Sequence, residues 1–183
     1  MRTLVAITGA SGAIYGVQFL KRCPGEKFLI MSRWAKEVLR IESGLSERAV
    51  AKLAKRVYPD DDLAAPFASG SNPIDTYAII PCSVTTMSKI ALGICDSLIT
   101  RAAQVALKER RRLIIALRET PISSIALEHA LKLSRDGVII MPVSPPFYKS
   151  PKTVEDVVNA FIDKVLGVIG AAPPDGWRAE ELE

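Results

Sequence analysis

The chain is poor in the residues that staple small proteins together or hold metals. Among its 183 residues are three cysteines and one histidine. Cys23, Cys82 and Cys95 form no C-x-x-C pair and no zinc-ligand spacing, which excludes a disulfide framework and a structural zinc site and predicts reduced, intracellular thiols. Long apolar runs are missing too. The most apolar stretch, residues 157–172, is interrupted by Asn159, Asp163 and Lys164 and falls short of the ~20 apolar residues of a membrane helix. The opening run 1–7 is too short for a secretory signal, so the expected protein is cytoplasmic, without a membrane span. Charge of one sign is also scarce: 24 Lys+Arg against 20 Asp+Glu leave +4, too little and too scattered for a nucleic-acid footprint. The densest basic cluster, Lys108-Glu109-Arg110-Arg111-Arg112, contains an acid and runs into an apolar segment, which reads as a solvated helix end.

What is present is an ordinary folding composition, 49% hydrophobic, at a length that favours one core over two. A single domain over residues 1–172 is expected. Runs of aliphatic residues at 3–8, 28–31, 78–80, 113–117 and 138–141 have the character of strands buried on both faces. Helical patterns lie between them: Tyr15, Phe19 and Leu20 share a face; Val38, Leu39 and Ile41 follow Ser32 as a cap; Leu127, Leu131 and Leu133 follow Ser123 and Ser124. A last helix from about Val154 carries Val157, Val158, Phe161, Val165 and Ile169 at helical spacing. It stops at Ala172-Pro173-Pro174-Asp175-Gly176, leaving a tail, 173–183, that is loose or docked on a neighbour. Alternation of this kind predicts an α/β fold, a three-layer sandwich with a parallel sheet, whose ligands gather at the carboxyl ends of the strands.

Several of the turns at those ends have chemical character. Thr8-Gly9-Ala10-Ser11-Gly12-Ala13-Ile14-Tyr15-Gly16 follows the first strand and opens the first helix, a place where backbone N–H groups approach a phosphate or a flavin ring, though such turns also serve plain packing. Ser11 stands where the G-x-G-x-x-G fingerprint of NAD sites has its second glycine, and no acid follows the second strand to hold a ribose. Arg33 keeps a 2′-phosphate, and hence an NADP reductase, in view, but the Tyr148–Lys152 spacing such reductases use contains Pro151, which breaks a helix. Ile80-Pro81-Cys82-Ser83-Val84-Thr85-Thr86-Met87 sets hydroxyls at a strand-to-helix turn, as cap or phosphate ligand. Ala68-Ser69-Gly70-Ser71 is a polar loop able to close over a ligand. Arg101, Lys108, Arg118 and Glu119 are the charges of most interest, the last two just past a buried strand. Asp60-Asp61-Asp62 lacks the D-D-x-x-D spacing of Mg²⁺-diphosphate sites and reads as a solvated turn.

Taken in order, Thr-Gly-Ala-Ser-Gly-Ala-Ile-Tyr-Gly (8–16), Met-Ser-x-x-Ala (31–35), Ala-Ser-Gly-Ser (68–71), Pro-Cys-Ser (81–83), Thr-Arg-Ala-Ala (100–103), Leu-Lys-Glu-Arg-Arg (107–111), Arg-Glu-Thr-Pro (118–121) and Pro-Pro-Phe-Tyr (145–148) resemble the UbiX-type flavin prenyltransferases over nearly the whole chain. The resemblance implies a flavodoxin-like, Rossmann-like fold, commonly assembled as a homododecamer. It implies reduced FMN as prenyl acceptor, dimethylallyl phosphate as donor, bonds formed at flavin N5 and C6, and prenylated FMN passed to a UbiD-type decarboxylase. It assigns Gly9, Ala10, Ser11, Ser32, Ser83, Val84, Thr85, Thr86 and Arg101 to FMN. Tyr148 and Lys164 go to the donor phosphate, with Lys108 and Arg118 near it, and catalytic work falls to Glu119, Ser11, Glu42 and Lys108. Trp177 matches a tryptophan by which the tail closes over the site. The sequence departs from the pattern at Gln104, Thr85 and Ala126, none of them an acid or base of the proposed chemistry.

That chemistry suits these residues. Breaking an allylic C–O bond calls for cations and donors around the departing phosphate, which Lys164, Lys108, Arg101 and Tyr148 supply, and for a proton, which Glu119 supplies. No metal is then expected. The rival is an FMN-dependent decarboxylase of peptidyl-cysteine type, which needs a catalytic His and a Pro-x-Met-Asn segment. Here Pro81-Cys82-Ser83-Val84 and a lone His129 in a leucine-rich helix stand instead. A non-catalytic flavin carrier is the third reading.

Overall fold

The computed structural model describes residues 1–171; Trp177 and the 173–183 tail lie outside them. Six parallel strands form one sheet in the order β3-β2-β1-β4-β5-β6: β1 (Arg2–Ile7), β2 (Glu26–Met31), β3 (Arg56–Pro59), β4 (Thr76–Cys82), β5 (Arg112–Leu117) and β6 (Ile139–Pro142). Seven α-helices accompany them among the described residues: α1 (Ala13–Arg22), α2 (Arg33–Ser43), α3 (Glu47–Ala51), α4 (Val84–Ala91), α5 (Leu98–Lys108), α6 (Ser124–Arg135) and α7 (Val154–Val168).

The three layers follow from the period of two along each strand. Leu4 and Ala6 of β1, with Tyr77 and Ile79 of β4 and Leu113 and Ile115 of β5, face one cluster that takes in Met87, Leu98, Ala102, Ala106 and Leu133 from α4, α5 and α6. Val5, Ile7, Ala78, Ile80, Ile114 and Ala116 face the opposite cluster, with Val17, Leu20, Leu39, Phe161, Ile162 and Val165 from α1, α2 and α7. The chain winds outward from β1 to β3 and then from β4 to β6, so the order reverses between β1 and β4. That switch point opens a crevice at their carboxyl ends.

The expected caps form: Ser32 accepts from the Ala35 amide and Ser123 from the Ala126 amide, and α7 begins at Val154. Three apolar residues assigned to helix faces are solvent-facing, however. Ile41, Leu127 and Leu131 are more than half exposed, whereas Leu39 and Leu133 are buried. A sixth strand, β3, was absent from the aliphatic runs because this four-residue edge strand, Arg-Val-Tyr-Pro, has one aliphatic residue. It is held by β2 on one side and by Tyr58 packing edge-on against Phe67; a terminal proline and a charged start suit an edge.

Candidate active site

Thr8 ties the switch point together. Its amide and its hydroxyl both donate to the Pro81 carbonyl, at 3.2 and 3.0 Å, while its Oγ1 accepts from the Ser83 amide at 2.8 Å. The Arg118 amide donates to the Cys82 carbonyl at 3.0 Å. The ends of β1, β4 and β5 are thereby fixed relative to one another before any ligand arrives. Cys82 is part of this knot and not a nucleophile, because full burial pushes its thiol well above the usual range.

A cavity of about 480 Å³ lies along the carboxyl ends of β1–β4, lined by Gly9, Ser32, Arg33, Trp34, Asp60, Ser83, Thr85, Thr86, Lys89, Asp96, Ser97, Ile99 and Thr100. Four helix N-termini border this region, and two are closed. At α1, Gly12 takes a left-handed conformation with no side-chain cap. The Glu42 carboxylate, reaching over from α2, accepts from the Gly12 and Ala13 amides at 2.8 and 3.2 Å. At α5, the Asp60 carbonyl accepts from the Leu98 amide at 2.6 Å and its carboxylate from the Ile99 amide at 3.0 Å, with Ser97 capping Thr100. Asp60 is therefore a structural cap in the cavity wall and not part of a solvated turn; the three-acid run gave no sign that its first member would meet a helix from elsewhere in the chain.

The N-termini of α2 and α4 stay open. Ser32 satisfies only Ala35 and Lys36. Ser83 Oγ accepts from the Thr86 amide and lies 3.0 Å from Thr86 Oγ1. The Arg33, Trp34, Val84 and Thr85 amides make no hydrogen bond among the described residues. Lys89 lies one turn into α4 and binds Asp96 at 2.5 Å, and that hydrogen bond lowers the Asp96 pKa. Open amides at a positive helix end, hydroxyls and a nearby ammonium make the start of α4 the better anion cradle. A cavity of this size suits a mononucleotide-sized ligand, so the residues present fit FMN. Gly9 owes its identity to a neighbour: a Cβ there would lie 2.5 Å from the Trp34 Cβ.

Arg118 and Glu119 follow β5 on the same edge and are exposed; Glu119 Oε1 accepts from the Thr120 amide at 3.2 Å. Burial raises the Tyr15 pKa, and the Arg118 charge works against that rise. Ala10, Ser11 and Val84 sit on the cavity's loops without lining it.

Other predicted residues lie elsewhere. Arg101 Nε donates to the Ala68 carbonyl at 3.0 Å, outside the cavity lining. The 68–71 loop does not cover the cavity: Arg111 holds the Gly70 and Asn72 carbonyls at 2.5 and 2.9 Å, at the end of α5 that leads into β5. Lys108 pairs with Glu109 there, against Gly70, roughly 15 Å along the helix from Ser97. Tyr148 and Lys164 are also outside the cavity lining, next in the chain to the paired Lys149 and Asp163. Residues 18 and 22 of α1 bond residues 159 and 163 of α7, so the two helices run side by side in the same direction and Lys164 is level with the far end of α1.

The Flavoprotein family model matches residues 1–167. The flavin prenyltransferase UbiX of Thermoplasma acidophilum is 48% identical over 93% of this chain and 95% of its own. Among solved structures, the dodecameric FMN-dependent Ubix-like decarboxylase of Escherichia coli O157:H7 superposes with a TM-score of 0.93 at 42% identity, covering 97% of this chain and 99% of its own. AnUbiX (PadA1), in complex with FMN and dimethylallyl pyrophosphate, gives 0.91 at 38% identity over 97% and 98%. The chain belongs to the flavoproteins and, within them, to the UbiX flavin prenyltransferase family.

Proposed function

We propose that this protein is a flavin prenyltransferase that moves the dimethylallyl group of dimethylallyl phosphate onto N5 and C6 of reduced FMN. The observation that carries the reading is the pattern of open and closed helix ends. Of the N-termini bordering the cavity, α1 and α5 are closed by Glu42 and Asp60; of the two left open, α2 and α4, the hydroxyl-rich start of α4 takes the FMN phosphate. The reduced isoalloxazine supplies the electron pair: N5 takes the prenyl carbon as its bond to phosphate oxygen breaks and gives up its own proton, and inorganic phosphate leaves. The allylic double bond is then consumed, gaining a proton at its inner carbon as its outer carbon bonds C6, and C6 loses its proton.

The chain's own groups prepare that exchange. Ser32, Ser83, Thr85 and Thr86 hold the acceptor's polar chain, and Gly9, Ala10, Ser11 and Val84 shape the walls. Arg118 offsets charge, and Glu119 delivers a proton to the departing phosphate; Arg101, held on the Ala68 carbonyl outside the lining, takes no part in this chain's own cavity. Glu42, whose carboxylate accepts from the Gly12 and Ala13 amides, exchanges protons at the glycine loop in this reading, with Ser11 next to Gly12 in that loop. Tyr148 and Lys164 grip the donor phosphate and Lys108 assists. These three lie away from their own chain's cavity, so they serve the cavity of a neighbouring copy in a homo-oligomer, as a dodecamer allows. No divalent ion is required, because the one acid of the triple that lines the cavity, Asp60, is spent on α5. The product, prenylated FMN, goes to a UbiD-type decarboxylase. The peptidyl-cysteine decarboxylase reading loses its catalyst, since His129 Nδ1 is bonded to Ser88 Oγ at 2.9 Å in the α4–α6 packing.

The expected result is inorganic phosphate released from dimethylallyl phosphate only when reduced FMN is present, mole for mole with flavin consumed. Release without flavin, or none with both substrates, contradicts the reading.

A further inference from the structure

The polar seam between α1 and α7 includes a residue to which no role has been assigned. Gln18 Nε2 donates to Asn159 Oδ1 at 2.9 Å, and Arg22 donates to the Asn159 carbonyl at 3.3 Å. The Asp163 carboxylate is shared: Oδ1 accepts from Arg22 at 2.5 Å and Oδ2 from Lys149 at 3.3 Å. Its side chain is 26% exposed and those of its two partners 31% and 24%, so the pairs are shielded more than surface ion pairs usually are.

Two different things are joined by that carboxylate. Arg22 belongs to α1, whose contact with α7 is already secured by Val17, Leu20, Phe161, Ile162 and Val165 in the core and by Tyr15 edge-on against Phe161 at 5.4 Å. Lys149 belongs to residues 143–153, the stretch between β6 and α7 that has no strand or helix of its own. Its far end is tied down where Asp156 accepts from the Lys152 and Thr153 amides; Asp163 ties its middle. The two residues that the donor reading needs are the chain neighbours of this pair, Tyr148 beside Lys149 and Lys164 beside Asp163.

We propose that Asp163 is a positioning residue for the donor phosphate, holding the Tyr148 segment against α7 so that Tyr148 and Lys164 present one phosphate grip. This rests on the reading of Tyr148 and Lys164 given above. Preorganisation of a two-part grip is worth more than either hydrogen bond alone, because the loop's ordering is completed before the ligand binds.

The test is steady-state kinetics on the full chain with reduced FMN fixed and dimethylallyl phosphate varied. Asp163→Asn and Lys149→Met are expected to raise KM for the donor on the order of 10-fold, the scale of one charge-assisted contact, with kcat and FMN affinity within about twofold of the parent. Asp163→Glu should recover part of the loss. Arg22→Met, which removes the helix-to-helix arm and spares the loop arm, should leave KM near the parent value. Unchanged KM in Asp163→Asn and Lys149→Met overturns the proposal, and so does an Arg22→Met effect as large as that of Lys149→Met. Lys164→Ala, run in parallel, separates the two levels. If it raises KM while Asp163→Asn does not, only the positioning role fails; if it leaves KM unchanged, the donor reading fails and the positioning role with it.

Discussion

Glu119 stands one residue beyond the turn where Arg118 is locked to Cys82, so the β4–β5 pairing sets its backbone position and its carboxylate remains exposed toward the carboxyl edge. A proton donor at that place should be worth the usual weight of one positioned acid. Glu119→Gln is expected to lower prenyl transfer by ~10²–10⁴ while FMN binding is retained, checked by single-turnover kinetics beside an FMN titration; parent-like turnover removes Glu119 from the mechanism. At this scale the sequence was readable wherever a residue acts on its own turn. Ser32, Ser83 and Ser123 are caps three residues from the amides they serve. It was unreadable where a residue acts across the fold. Glu42 closes a helix end 30 positions away and Asp60 one 39 positions away. Gly9 looks like a ligand contact in the motif, yet it is the Trp34 Cβ that leaves no room for a side chain.

Among the elements, α7 carries Lys164 and the Asp163 that pairs with Arg22 and Lys149, and its start depends on a reciprocal cap. Thr153 Oγ1 accepts from the Asp156 amide, and the Asp156 carboxylate accepts from the Lys152 and Thr153 amides. The Lys152 amide is the largest of the causes that depress the Asp156 pKa below its ordinary 3.8. A depressed folded-state pKa adds stability that is present above the unfolded value and is lost as pH falls through the folded one. Asp156→Asn should therefore lower Tm at pH 7, and the gap should close as the pH drops well below 3.8. A gap of constant size across that range would show that the carboxylate's charge is not what the cap uses. Most elements were legible because central parallel strands are continuous aliphatic runs. β3 was not, since its Arg-Val-Tyr-Pro holds a single aliphatic residue, whereas the other edge strand, β6, keeps Ile139, Ile140 and Met141; the register of β3 comes from β2.

On the scale of the molecule, the cavity and the outlying residues divide the proposed chemistry. The cavity lies at the carboxyl edge, where Glu119 follows β5, whereas Lys108 and Lys164 stand roughly a helix length along α5 and α7 from it. A site shared between copies predicts that inactive Lys108→Ala and Glu119→Gln chains, unfolded together and co-refolded, regain part of the parent activity in mixed oligomers, read as product per flavin. No recovery at any mixing ratio would place both residues in the site of one chain. The motifs, read in order, pointed to this reaction. That they fall into separate groups along the chain could not be read from order alone, because spacing along a helix says nothing about which copy a residue faces. The most direct measurement is the mass of the flavin after anaerobic incubation of the protein with reduced FMN and dimethylallyl phosphate in the presence of a divalent-ion chelator. The account predicts a gain of one C5H8 unit; flavin recovered at its original mass, however tightly bound, contradicts it.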